Sequence, residues 1–218
     1  MKSYYNIQIL QNLYRLEALG YEYADEITYN HPPSEPIAED FDTLTKQIHN
    51  CHLCDLSKTR TQSMSGYGSY NAEVMIIDDI VSQSQDMENN YFAGRSGDML
   101  KNMIENVLSI PKENIYYTHA IKCKPHQPKE NYQSEWLSCR LYLETQIELV
   151  NPKIILFLGE KPFRRLTGSK EPFEHIRGNV LEYKNKKIIS TYEPDFLLRN
   201  PNFKKVVLND LQTLKSHL

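Results

Sequence analysis

Four short, continuously apolar runs, at residues 73–78, 115–121, 153–159 and 187–191, are separated by segments of helical periodicity. A strand with one wet face alternates apolar and polar residues; these runs do not, so each is covered on both faces. Strands of that kind alternating with helices predict a parallel sheet packed between helices. The helices are expected at 41–50, from 92–97 through 108, at 133–150, from about 161, and at 201–214. In such sheets the ligand crevice lies outside the carboxyl ends of the strands. The residues there are Asp78 and Asp79, His119, Gly159, and Tyr192-Glu193-Pro194. Polar side chains thus converge on one edge.

The first 45 residues read differently. Residues 4–20 carry Ile9, Leu10, Leu13, Leu16 and Leu19 at helical spacing, with Gly20 placed to stop the helix. Residues 26–42 are acidic and contain His31-Pro32-Pro33-Ser34-Glu35-Pro36, the composition of a linker. The expected division is therefore 1–45, a helix plus acidic Pro-rich linker, and 46–218, the main domain. With 2 basic and 8 acidic residues, the extension either docks on the domain or recognises a protein partner. No apolar run approaches the eighteen or so residues that span a bilayer, so no membrane partner is expected and the protein is placed in the cytoplasm. Residues 101–218 carry 19 Lys/Arg against 13 Asp/Glu, while residues 1–100 carry 6 against 15. The basic half suits contact with phosphates, and also simple solvation. Lys122, Lys124, Arg177, Arg199, Lys204 and Lys205 are its candidate phosphate contacts.

All four cysteines fall in the main domain: the pair Cys51-His52-Leu53-Cys54, then Cys123 and Cys139 singly. Two disulfides would need an oxidising compartment, and the chain shows no signal peptide. Zinc accepts four thiolates but usually draws them from two close pairs. An iron–sulfur cluster accepts thiolates from scattered positions. Buried free cysteines are the remaining reading.

Several stretches together resemble the uracil-DNA glycosylase superfamily, in particular its iron–sulfur branch, family four. They are Cys51-x-x-Cys54, Gly66-Tyr67-Gly68, Phe92-Ala93-Gly94-Arg95-Ser96-Gly97, and Ile115 through Pro125 with Thr118-His119-Ala120-Ile121-Lys122-Cys123. Cys139-Arg140-x-Tyr142-Leu143, Pro152-Lys153-Ile154-Ile155-x-x-Leu158-Gly159, Ile176-Arg177-Gly178 and Thr191-Tyr192-Glu193-Pro194 follow in order, and Leu197-Leu198-Arg199-Asn200-Pro201 completes the set. The resemblance implies a three-layer αβα fold with a four-stranded, mainly parallel sheet and an added N-terminal helical extension. It implies a [4Fe-4S] cluster on Cys51, Cys54, Cys123 and Cys139, ahead of zinc. It also implies single- or double-stranded DNA as partner, and excision of uracil or another deaminated base.

Three departures bear on chemistry. The family's first motif, Gly-Glu-Ala-Pro-Gly, is here Asp78-Asp79-Ile80-Val81-Ser82, which keeps a carboxylate at Asp79 but neither glycine. His119 stands where the family reads uracil with an Asn. Glu193 replaces the His of the His-Pro motif, setting an acid where the family has a donor to the leaving base. The resemblance therefore assigns Asp79 and Glu193 as catalytic, Phe92 and His119 as base-binding, and Arg177 and Arg199 as DNA contacts. The alternative is a catalytically silent member that binds DNA or a protein partner.

Overall fold

A computed structural model describes residues 37–218, so the expected helix at 4–20 and most of the linker lie outside the described residues. Strands β1 (Tyr67–Gly68), β2 (Val74–Ile80), β3 (Tyr116–Ile121), β4 (Ile154–Leu158), β5 (Leu181–Tyr183) and β6 (Lys186–Thr191) form one sheet in the order β1-β3-β2-β4-β6-β5. The four expected strands, β2, β3, β4 and β6, are parallel to one another. Two short antiparallel strands extend the sheet, β1 beside β3 and β5 beside β6.

Eight α-helices accompany the sheet among the described residues: α1 (Phe41–His49), α2 (Gln83–Glu88), α3 (Gly94–Asn102), α4 (Gln133–Val150), α5 (Glu160–Thr167), α6 (Phe173–Ile176), α7 (Pro194–Arg199) and α8 (Lys204–Lys215). Successive residues of each central strand feed opposite faces. On one face Met75, Ile77, Ile155 and Phe157 meet Trp136, Cys139, Leu143, Ile147 and Val150, spaced three and four apart along α4. On the other face Val74, Ile76, Ile154 and Leu156 meet Leu100 of α3 and Val207, Leu211 and Leu214 of α8. That two-sided burial is why the strands read as unbroken apolar runs. Each fully buried Leu, Ile or Phe contributes about 1.5–3 kcal/mol relative to exposure.

Local signals set the helix ends. Asp40 caps α1, accepting from the Thr43 N–H at 2.7 Å, and Asn151 closes α4 in the left-handed region. The polar stretch after β2 proves helical. Ser82 and Gln85 form a reciprocal capping box at the start of α2, a pattern visible in the sequence. Past α3 the chain continues as one π-helical stretch, Met103–Leu108. No helix among the described residues is long and apolar enough to cross a membrane.

Candidate active site

Strand β2 lies between β3 and β4, where the chain's direction of travel across the sheet reverses, so the crevice forms at its carboxyl end. A cleft of about 330 Å³ opens there, lined by Asp78 and Asp79 of β2, Gln85 of α2, Ser96 of α3, Tyr117 of β3, Lys161 of α5, and Glu193 and Arg199 of α7 and its cap. Gly97 allows the close approach at the start of α3, since a Cβ there would collide with the Phe92 carbonyl.

The two aspartates have unlike surroundings. Asp79 is buried and paired with Arg165 of α5, Nε to Oδ1 at 2.5 Å. Among the described residues no cation pairs with Asp78: one oxygen accepts from the Asp79 N–H at 2.7 Å, the other from the Tyr117 hydroxyl at 3.1 Å. Burial, with the charges of Glu193 and Asp79 behind it, lifts the Asp78 carboxyl to about 7 against the pull of those two donors. Glu193 is raised as well, chiefly by burial and Asp195, with Arg199 and Lys161 opposing. The Ser96 hydroxyl donates to Asp195, tying α3 to α7 across the cleft.

His119 is fully buried and stands behind the cleft wall. Its Nε2 lies 3.1 Å from Gln85 Oε1, an acceptor, so that nitrogen carries the proton. Burial, and secondarily Lys122, lowers its pKa to about 3. The ring packs beside Tyr117 and Tyr91, and its Nδ1 has no hydrogen-bond partner among the described residues. Gln85 Oε1 also accepts from the Ser82 N–H, while Gln85 Nε2 donates to the Tyr91 carbonyl and Tyr117 hydroxyl. Every hydrogen-bonding group of that amide is used.

The other expected residues divide. Glu193 and Arg199 reach the cleft, Arg199 mostly exposed and 3.7 Å from Glu193. Phe92 packs edge-on against Tyr67 and near Tyr117, leaving Ala93 to form the wall. Arg177 pairs with Asp210 and lies over the Tyr192 ring, a brace between α6 and α8. Lys122 corrects an expectation: it is buried and donates to Thr118 Oγ1, the His119 carbonyl and Gln146 Oε1, so it cannot meet a phosphate. Gln85, Tyr117 and Arg165 were not singled out by sequence. The capping box would have found Gln85; nothing local links Arg165 to an aspartate 86 residues away.

The thiols gather on the α4 side of the sheet. Cys54, Cys123 and Cys139 join one apolar cluster, and Cys51 packs in the adjoining one with Ile48 and Tyr142. All four are free. Burial is the largest influence on Cys54, Cys123 and Cys139, raising each, Cys139 to about 12, and neighbouring thiols add to it. Arg60 donates to Cys123 Sγ at 3.1 Å and to the carbonyls of His49 and Cys51. Among the described residues no three of His, Cys, Asp or Glu stand where they could hold a single metal ion. Arg60 is the cation beside Cys123, a complement for a thiolate group that carries negative charge.

Fold and cleft define a three-layer α/β protein with a carboxyl-rich ligand site at the carboxyl edge of a parallel sheet. The chain belongs to the Uracil DNA glycosylase superfamily, whose sequence profile matches residues 65–212. It is 30% identical over 189 residues to a type-4 uracil-DNA glycosylase of Saccharolobus solfataricus, covering 83% of this chain and 87% of that one. The type-4 uracil-DNA glycosylase of Sulfurisphaera tokodaii is 29% identical over 185 residues, 81% and 84% of the two chains. A DNA polymerase of Bacillus phage SP01 is 25% identical over 166 residues, 76% of this chain but 18% of the polymerase.

Proposed function

We propose that this protein removes a damaged base from DNA by hydrolysing its N-glycosidic bond in the cleft at the end of β2. Superfamily membership supports this, and one observation carries it. Asp79, where the resemblance puts the family's carboxylate, lines the cleft and is held in place by Arg165. The names of the relatives point to uracil or another deaminated base. A base turned out of its strand would enter beside Tyr117, with Asp79 orienting water or stabilising the cationic sugar. Glu193 would face the departing base, acting as an acid only when protonated. Phe92 would stiffen the base-side wall, and His119 would fix Gln85 within it rather than touch the base. Arg199, exposed at the rim, would meet a phosphate, and Arg177 would brace that face.

A [4Fe-4S] cluster would be held by Cys51, Cys54, Cys123 and Cys139. When bound it supplies a cross-link among the segment after α1, the loop after β3, and α4, with no step at the cleft. DNA, single- or double-stranded, would be the principal partner, which suits a cytoplasmic protein. Residues 1–45 are the candidate segment for a protein partner.

Two observations favour a catalytically silent DNA-binding member instead. Asp79 is already engaged by a guanidinium, and Glu193 puts an acid where the resemblance calls for a donor. The two readings separate in a single-turnover incubation with a single-stranded oligonucleotide bearing one uracil, hypoxanthine or xanthine. Abasic sites formed by the wild type and abolished by Asp79→Asn support excision. Binding without any abasic product supports the silent reading.

A further inference from the structure

The cleft sets four carboxyl groups, Asp78, Asp79, Glu193 and Asp195, against two cations, Lys161 and Arg199. Arg165 neutralises Asp79, and Arg199 lies loosely beside Glu193. Asp195 and Asp78 are left with uncharged donors, the Ser96 hydroxyl for one, and the Tyr117 hydroxyl and a backbone N–H for the other. Asp195 is exposed to water, whereas Asp78 is partly buried; a carboxylate shielded by protein without a counter-cation is unfavourable, and a cation delivered by a ligand beside Asp78 would relieve it. Tyr117, beside Asp78, adds an aromatic ring, which also attracts cations.

Resting on the excision reading above and narrowing its substrate class, we propose that the preferred substrate is a nucleotide whose base carries a fixed positive charge, as a ring-alkylated purine does. In a 7-alkylguanine nucleotide the ring is cationic. When its C1′–N9 bond breaks, the bonding pair goes to N9 and cancels the ring charge, so the base leaves neutral and takes no proton. Water adds its oxygen to C1′ and loses one proton to the Asp79 carboxylate. The products are the neutral base, the abasic deoxyribose and that proton. With uracil the same electron pair leaves an anion, which needs a donor. Glu193 is a carboxyl at the place where that donor would stand. The carboxyl groups that oppose an anionic leaving group attract a cationic base, so one arrangement accounts for both the lost donor and the added acids.

The test is a pair of time courses with the full-length protein, as isolated, on matched oligonucleotides carrying one 7-methylguanine or one uracil. Released base is counted by mass spectrometry after subtracting protein-free controls. Methylguanine should leave about 10²–10³-fold faster than uracil, the scale on which one missing donor alters such a step. Asp78→Asn and Glu193→Gln should each lower the methylguanine-to-uracil ratio, and Glu193→Gln, on the more open side of the cleft, serves alone if Asp78→Asn does not fold. Uracil released as fast as methylguanine, or faster, overturns this inference and leaves the excision reading intact. Release of neither base by protein that binds both oligonucleotides overturns both.

Discussion

Arg165 and Asp79 meet at 2.5 Å although 86 residues separate them, and both side chains are about nine-tenths buried. The pair locks α5 to the end of β2 and fixes the Asp79 carboxylate at the cleft. Removing one member of a buried ion pair leaves the other unpaired in protein, which typically costs about 3–5 kcal/mol. Arg165→Ala should therefore shift the urea midpoint well down and also lower excision. Arg165→Lys, which keeps the charge without the planar fork, should recover part of the stability. An unchanged midpoint in Arg165→Ala would contradict the pairing.

Asp78 gives stability an unusual pH slope. Its carboxyl is lifted to about 7 in the folded protein, mainly by burial, with Glu193 and Asp79 adding to the rise. An unfolded aspartate titrates near 4, so between roughly pH 4 and 7 the folded chain holds the extra proton. Stability from this group is present at low pH, falls as pH rises through that window, and levels off above it. Asp78→Asn should flatten the slope and become the more stable protein at pH 8, by on the order of 1–3 kcal/mol. Chemical denaturation at pH 5, 6.5 and 8 would show it.

His119 should stay neutral throughout the physiological range, because burial brings it to about 3. Histidine-selective NMR should show a ring protonated on Nε2 and invariant from pH 5 to 8. A midpoint near 6.5 would instead place the ring in contact with solvent.

The thiols should give brown protein with iron and a broad absorption near roughly 400 nm, as thiolate-ligated iron–sulfur groups do. Cys139→Ser should lose iron, colour and thermal stability together. Stoichiometric zinc in a colourless wild-type preparation would contradict the cluster.

The four central strands were legible because each is buried on both faces, which writes an unbroken apolar run. The two edge strands were not. Leu181 and Glu182 of β5 are exposed, and β1 is two residues long, so neither carries a burial pattern. The convergence of Asp78, Asp79 and Glu193 followed from strand ends alone. The burial of His119 and Lys122 could have been read from their place in and just after β3, whose six residues are all buried. The Asp79–Arg165 pair could not, since it depends on how α5 returns across the sheet.

Whether the cleft at the end of β2 frees bases from DNA can be measured on the bases themselves. The most direct measurement is mass spectrometry of free bases released from one DNA sample that carries both deaminated and ring-methylated bases, treated with wild type or Asp79→Asn. Wild type should yield free damaged base and the variant little, with cationic bases leading. No free base of any kind, from iron-containing protein that still binds the DNA, would contradict it.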